Sequence, residues 1–573
     1  MGVADDGLED RLRRLLPGCR LTGLAENSSC SVYDRASARC DFDQVLGLAV
    51  DFVLLTSRWN FGGTCNEDRN WWIVCAPPRS DNARTALTSA SSCESLSSLA
   101  LPKTSITLAQ VVPAGKFALP GTDPATPQFG QLPTFCRVTA TLTPSSDSDI
   151  KIEIWLPIAD WNGKFEAVGN GGWAGTITYD WLASALQEGY ATASTDTGHL
   201  GRNALFAIRH PEKVVDFAYR GVHELAVKSK AIIAAFYDRT PRFLYFTGCS
   251  TGGRQALVEA QRYPEDFDGI IAGAPANNQT QLCAWRIAVE AKILQSPASV
   301  VPPAKLVLLN RAVLAACDAI DGVKDGLLTD PEQCHFDPAT LLCRGADGGD
   351  CLTAQQVESV KMGYAPAKRK TGELIYPGLV PGGETGWAML TAAKPEPGSI
   401  DVGMFRFIAH EDPAWDWRTF DLDRDSLLIE KKAGFIDAVN PDLSAFRAHG
   451  GKLLIYHGWN DGGSGGAISP RNTVNYYASV LARTGSQQQD WLRLFMVPGM
   501  EHCGGGPGPN QVNWMAARER WRESGIAPDR LIASRVSNNH VDMTRPICPY
   551  PAVAKYNGMG STNDAANFAC KVP

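Results

Sequence analysis

The sequence has no block of basic residues, no cysteine or histidine spacing typical of a zinc site, and no apolar run that reads as a membrane span. Each absence removes a class of function. Lys and Arg number 54 against 61 Asp and Glu, a formal net charge of −7. Neither nucleic acid nor an anionic membrane surface finds an electrostatic footprint there, so a neutral or small polar ligand is the expected partner. The best candidate for a span, VLGLAVDFVLL at 45–55, is short and broken by Asp51, whereas a bilayer-crossing helix needs ~20 apolar residues. No C-x-x-C or H-x3-5-H pattern occurs, which argues against a metal–thiolate centre. No internal repeat is visible. A secretory leader is not evident either, because MGVADDGLEDRLRRLL is charged and amphipathic rather than basic and then apolar.

What is present begins with length and cysteine. A chain of 573 residues is too long for one compact core and reads as two or three units. Its 16 cysteines are many for a reducing cytosol, so an oxidising compartment, and hence secretion, is expected. Residues 1–92 mix charge clusters with Cys19, Cys30, Cys40, Cys65 and Cys75 and show no sustained periodicity, which marks an N-terminal extension. After it, FCRVTATLTP and DIKIEIWLPI alternate like antiparallel strands. KFEAVGNGGWAG, GYATASTDTG and RFLYFTG then read as strands, and PEKVVDFAYRGVHELAVKSKAIIAAFY as a long helix. Strand and helix alternate, so the fold class is α/β with a mostly parallel sheet. Residues 275–430 break into Pro-, Gly- and Asp-rich segments with aromatic clusters, and the rhythm returns with GKLLIYHGWND and WLRLFMVPGMEHC. The catalytic core is therefore discontinuous, 93–274 and 431–573, with 275–430 inserted as a lid.

Chemistry concentrates in FTGCSTGGRQAL, where a short apolar strand meets a glycine-bounded turn and a helix, the context a G-x-S-x-G nucleophile elbow requires. Ser250 is the candidate nucleophile, and its hydroxyl needs a base and an orienter. His502 follows a late strand in a Gly/Pro-rich loop, and Asp461 follows KLLIYHGWND. The order Ser250, Asp461, His502 is that of an α/β-hydrolase. His457 and His199 compete for the base, and Asp437 and Asp490 for the acid. The oxyanion takes the N–H of Thr251 and, from GNGGWAG, that of Gly171 or Gly172. Cys249 precedes the nucleophile and Cys503 follows the base, so a disulfide between them would tie the two loops together. In CDAIDGVKDGLL, the carboxylates of Asp318, Asp321 and Asp325 suit a hard cation, although solvated acidic turns look the same in sequence.

These residues resemble the tannase and feruloyl esterase family, secreted α/β-hydrolases with a lid domain. The resemblance runs over roughly residues 93 to 573 and rests on GCSTGG, HGWND, EHC and CDAIDGVKDGLLTDPEQCHFDP. It implies the bridges Cys249–Cys503, Cys93–Cys136, Cys317–Cys334, Cys343–Cys351 and Cys548–Cys570. Cys283 and the five cysteines of the extension have no counterpart in it. It implies a structural calcium ion in the lid, with backbone carbonyls of Val323 and Leu327 joining the three aspartates, and no organic cofactor. It implies cleavage of small aromatic-acid esters, feruloyl and other hydroxycinnamoyl esters on plant polysaccharide or gallates in tannins. A terephthalate monoester hydrolase of the same family is the alternative, and it resembles this chain less closely at Thr251. The lid aromatics Phe405, Phe407, Trp415 and Trp417 would line an acyl pocket or pack the lid. A catalytically silent carbohydrate- or partner-binding protein on the same fold would be expected to lack a triad residue, and all three candidates are present.

Overall fold

The computed structural model describes residues 91–122, 127–462, 467–485 and 490–573, together with four short strands in the first 90 residues. The chain falls into two compact units, Met1–Ala86 and Leu87–Pro573. In the first unit the strands Cys19–Leu21, Gly63–Cys65, Trp71–Cys75 and Cys30–Asp34 lie side by side in that order, all antiparallel. Strands of three to five residues are too short to show the periodicity that the sequence lacked there. The pairing of Cys19, Cys30, Cys40, Cys65 and Cys75 lies outside the described residues. The expected extension ended at 92, and Ser91 and Cys93, among the first described residues of the second unit, are already tied to it. Ser91 N–H donates to Phe236 O at 3.4 Å, and Cys93 is bonded to Cys136.

The second unit is organised by one nine-stranded sheet. In chain order its strands are β1 (Thr104–Val112), β2 (Phe135–Leu142), β3 (Ile150–Pro157), β4 (Lys164–Val168), β5 (Ala191–Thr195), β6 (Phe243–Cys249), β7 (Gly269–Gly273), β8 (Lys452–Gly458) and β9 (Leu492–Val497). Their spatial order is β9-β8-β7-β6-β4-β5-β3-β2-β1. The first three strands pair antiparallel, β3 meets β5 antiparallel, and β5, β4, β6, β7, β8 and β9 run parallel. β7 and β9 are buried along their whole length, as expected of parallel strands covered on both faces. β2 instead alternates buried and half-buried residues. Helices α1 (Gly221–Tyr237), α2 (Thr251–Arg262) and α5 (Trp514–Ser524) pack against the sheet. Beneath the elbow Arg518 of α5 pairs with Glu166 of β4 at 2.5 Å, both fully buried, and also donates to Thr247 Oγ1 of β6 at 3.0 Å.

The parallel strands all end on one side, where α/β sheets collect their ligands. The chain leaves the sheet at Gly273 and returns at Lys452. Between these points lie α3 (Gln279–Gln295) and α4 (Pro303–Cys317), further short helices and a small ribbon, Ala367–Lys368 with Leu374–Tyr376. Their core contains Trp285, Leu306, Leu309, Trp387 and Phe405 and is continuous with Trp173, Ala204 and Phe217 from the loops at the sheet's carboxyl edge. Ala438, Leu443 and Phe446 pack instead into the core of the sheet itself, so the chain rejoins that core before β8 begins.

The helical stretch Pro297–Asp321, 25 residues whose most apolar 18-residue window has a mean hydropathy of 1.5, is long and apolar enough by length and composition to cross a membrane, a test that the core helix of a soluble protein also passes. No contiguous apolar run reveals it, because Lys305 and Arg311 interrupt the string while the helical average stays high. In the fold Leu306, Leu309 and Val313 of this stretch enter the core of the insert, Lys305 pairs with Asp347, and Cys317 is bonded to Cys334.

Candidate active site

β6 ends at Cys249, α2 begins at Thr251, and Ser250 forms the corner with φ 64° and ψ −123°. This is strained backbone for a residue with a Cβ, costing about 1–3 kcal/mol, and it persists only where the surroundings over-determine it. Here Ser250 N–H donates to Gly273 O at 3.0 Å, while Ser250 O accepts from Arg254 at 3.0 Å and Ala276 at 3.1 Å. Two glycines make the corner possible. A Cβ on Gly248 would stand 2.3 Å from Gly252 O, and one on Gly253 2.3 Å from Gly273 O. Strand and helix thus touch backbone to backbone.

Asp461 follows β8 by three residues and His502 follows β9 by five. His502 Nδ1–H donates to Asp461 Oδ2 at 2.7 Å, which leaves Nε2 as the basic lone pair of the neutral ring. His457 Nε2–H donates to the same oxygen at 3.0 Å and Ile468 N–H to Asp461 Oδ1 at 3.3 Å. Burial by itself pushes the Asp461 carboxyl up, but the charge on His502 and the hydrogen bonds from His457 and His502 pull it well below the ordinary carboxylate range. The reciprocal effect appears at His502. Burial pushes the imidazole down, the charge and hydrogen bond of Asp461 outweigh it, and the net shift is upward. His457 is therefore a second orienter of Asp461, and its Nδ1 meets Thr473 Oγ1 at 2.8 Å.

Cys503 and Cys249 are joined, with an S–S distance of 2.05 Å and Cα atoms 6.0 Å apart. Ser250 and His502 are each one residue from this bridge, and both line a cavity of about 600 Å³. The glycine loop after β4 forms another wall through Gly171 and Gly172. Thr251 Oγ1 donates to Gly172 O at 3.0 Å, and Gln255 of α2 clasps Asn170, accepting its N–H at 3.0 Å and donating to its Oδ1 at 3.1 Å. Thr251 occupies the first position of α2, where the backbone N–H has no acceptor within the helix, so this donor and the glycine loop are held in one piece.

Several lining residues were not found from sequence. Trp173, Trp181, Arg202 and Ile400 line the cavity, whereas Phe405, Phe407, Trp415 and Trp417 do not. Phe405 packs on Trp415 and Phe420 inside the insert. The available signal was the tryptophan that directly follows the glycine loop. The rival acids and base have other partners: Asp437 is half-buried and accepts from Thr280, Asp490 is exposed, and His199 Nε2–H donates to Trp173 O at 2.9 Å while stacking on Phe206. Cys93–Cys136, Cys317–Cys334, Cys343–Cys351 and Cys548–Cys570 are bonded, and Cys283 is a buried free thiol.

The acidic loop after α4 is folded back by Gly322 (φ 94°) and Gly326 (φ 80°). Asp318 accepts from Gly326 N–H at 3.1 Å, Asp321 from Val323 N–H at 2.9 Å and Thr329 Oγ1 at 2.5 Å, and Asp325 from Leu327 N–H at 3.1 Å and Arg545 at 2.7 Å. Burial pushes Asp325 up despite Arg545. Of these carboxylates Asp325 meets the Arg545 guanidinium, and with the carbonyls of Val323 and Leu327 on the same loop the donors are all oxygen, the type a hard divalent cation takes. The cluster Cys343, Asp347 and Cys351 offers no thiolate site, since its two sulfurs are bonded to each other.

The model of the family described as "Tannase and feruloyl esterase" matches residues 136–571. An uncharacterized esterase of Xanthomonas campestris is 39% identical over 541 residues, 85% of this chain and 92% of its own. A probable feruloyl esterase B of Aspergillus clavatus is 33% identical over 496 residues, 82% of this chain and 93% of its own. The crystal structure of feruloyl esterase B from Aspergillus oryzae superposes with a TM-score of 0.78 at 30% identity, covering 84% of this chain and 99% of that one.

Two outcomes are expected. In an NMR titration the His502 ring protonates above the ordinary imidazole value, and Asp461→Asn moves it below, because burial then acts without the opposing charge; an unchanged midpoint contradicts the pairing. Replacing both Cys249 and Cys503 by Ala releases a closure of 254 residues, which the chain-entropy account values at up to about 5 kcal/mol. The denaturation midpoint drops accordingly, and equal stability with and without the bridge refutes the stapling role.

Proposed function

The chain belongs to the tannase and feruloyl esterase family, and from that membership we propose which residues carry its chemistry and which esters it cleaves. It is a carboxylic ester hydrolase. Ser250 Oγ attacks the ester carbonyl while His502 Nε2 takes its proton, and Asp461 stabilises the imidazolium that forms. The oxyanion is received by Thr251 N–H and the loop at Gly171 and Gly172. His502 then returns the proton to the departing alcohol, and water, activated by the same imidazole, hydrolyses the acyl–Ser250 ester. The observation that carries this reading is the Asp461–His502 pair at 2.7 Å, bonded through Cys503 to the residue before Ser250, with Ser250 and His502 lining one cavity.

The acyl group is that of an aromatic acid. Trp173, Trp181 and Ile400 offer an aryl ring an apolar wall, and relatives bear the name feruloyl esterase B. A feruloyl or other hydroxycinnamoyl ester on plant polysaccharide, or a gallate in a tannin, is the natural form. Five disulfides among the described residues support action outside the cell. A calcium ion held by Asp318, Asp321, Asp325 and the carbonyls of Val323 and Leu327 would bind the loop as a structural element.

Ser250→Ala abolishes hydrolysis of methyl ferulate and methyl gallate and prevents labelling by a serine-directed phosphonate, with thermal unfolding unchanged; hydrolysis retained by that variant ends the assignment. Chelation by EGTA lowers the unfolding temperature, calcium restores it, and Asp321→Ala removes the response. An unfolding temperature indifferent to calcium contradicts the loop assignment.

A further inference from the structure

Beside the cavity of Ser250 lies a second one, of about 250 Å³, and the two share Ser399 and Ile400 as lining residues. This wall is close to the chemistry. A Cβ on Gly172 would stand 3.4 Å from Ile400 Cδ1, and Trp173 Nε1–H donates to Ile400 O at 3.1 Å. On its other side Gly398 N–H donates to Glu290 Oε2 at 2.7 Å. The sequence of neighbours therefore runs from the oxyanion loop through Ile400, Ser399 and Gly398 to a carboxylate that lines the second cavity.

The charges around that carboxylate define what it can accept. Arg286 pairs with Asp401 at 3.2 Å, and Asp401 is wholly buried. Glu290, one helical turn from Arg286 on α3, is pushed up to about 7, first by burial and then by the charge of Asp401, against the pull of Arg286. Lys394 and Glu396 also line the cavity, and Glu396 pairs with Arg406 at 3.1 Å. The buried Asp401 and the half-buried Glu290 thus lie within the field of one half-buried guanidinium. A carboxylate on a substrate has no proton to donate to Glu290 and repels its ionised form, whereas a neutral hydroxyl can donate to Glu290, which keeps an acceptor oxygen in either protonation state.

We propose that Glu290 receives the ring hydroxyl of the acyl group, so that Glu290 and the Ser399–Ile400 wall select esters of hydroxylated aromatic acids over unsubstituted and anionic ones. This rests on the esterase reading above and assigns the far end of its acyl site. Arg286 acts as a positioning residue for the two acids, and its charge also reaches His502.

The test compares kcat/KM for methyl 4-hydroxycinnamate, methyl 4-methoxycinnamate, methyl cinnamate and a terephthalate monoester. A hydrogen bond to the Glu290 carboxyl predicts that the hydroxylated ester is preferred over the methoxy and unsubstituted ones by about 10- to 100-fold, chiefly through KM, with the terephthalate monoester the poorest. Glu290→Leu brings the hydroxy-to-methoxy ratio towards one, and Glu290→Gln, which keeps an acceptor, restores part of it. Each ratio is read on one preparation, so loss of folded enzyme does not move it, and the wild-type ratios stand even if neither variant folds. Equal kcat/KM for the three cinnamates, or a preference that Glu290→Leu leaves intact, overturns the inference while the esterase reading stands. Turnover of none of the four overturns the esterase reading and the inference with it.

Discussion

The bond between Cys249 and Cys503 is the constraint on which the site depends. The bonded cysteines, which flank the proposed nucleophile and base, lie 254 positions apart and follow strands β6 and β9, which are separated in the sheet by β7 and β8. Noncovalent packing would have to hold two loops at a carboxyl edge to within a fraction of an ångström for proton transfer. A disulfide reduces that problem to the torsions of two adjacent residues. Both of those corners are strained, Ser250 at φ 64° and Cys503 also at φ 64°, and the bridge lies between them.

Electrostatics complete what the bridge positions. Asp461 accepts from His502, His457 and the backbone of Ile468, so a fully buried carboxylate remains ionised. An isolated buried acid would neutralise itself, and the acids elsewhere in the insert, Glu290 and Asp437, show that tendency, with burial pushing each of them up. The difference is that the charge on His502 and the hydrogen bonds of two imidazoles outweigh burial at Asp461. His457, which competes with His502 on sequence grounds, contributes by being one of those donors.

The insert is part of the site's wall and not a detached flap. Its core contains Trp173 and Phe217 from the body of the enzyme, and Arg254 of the elbow helix donates to Phe217 O and Ala218 O on one side and to Ile436 O on the other. Cleft shape and acyl selectivity are therefore coupled to the same packing that fixes the elbow.

The sequence by itself determined the features that local chemistry forces. G-C-S-T-G-G between an apolar strand and a helix pointed to a nucleophile elbow, and the fold supplies the reason for its glycines, since a Cβ on Gly248 or Gly253 would strike backbone. The alternating and fully apolar strands announced a mixed sheet, and the order Ser250, Asp461, His502 followed from which strands end in polar loops. What the tertiary structure decided depends on contacts between distant segments. The cavity takes its aromatic wall from Trp173 and Trp181 and not from the insert's aromatic cluster, which turns inward to build a core, since burial of large rings there has nothing else to pack against. Ser91 and Cys93 are tied to partners far along the chain, Phe236 and Cys136. Whether an aspartate holds a histidine, lines a cavity or shares a guanidinium is set by which neighbours the fold delivers, and those distances are not written in residue order.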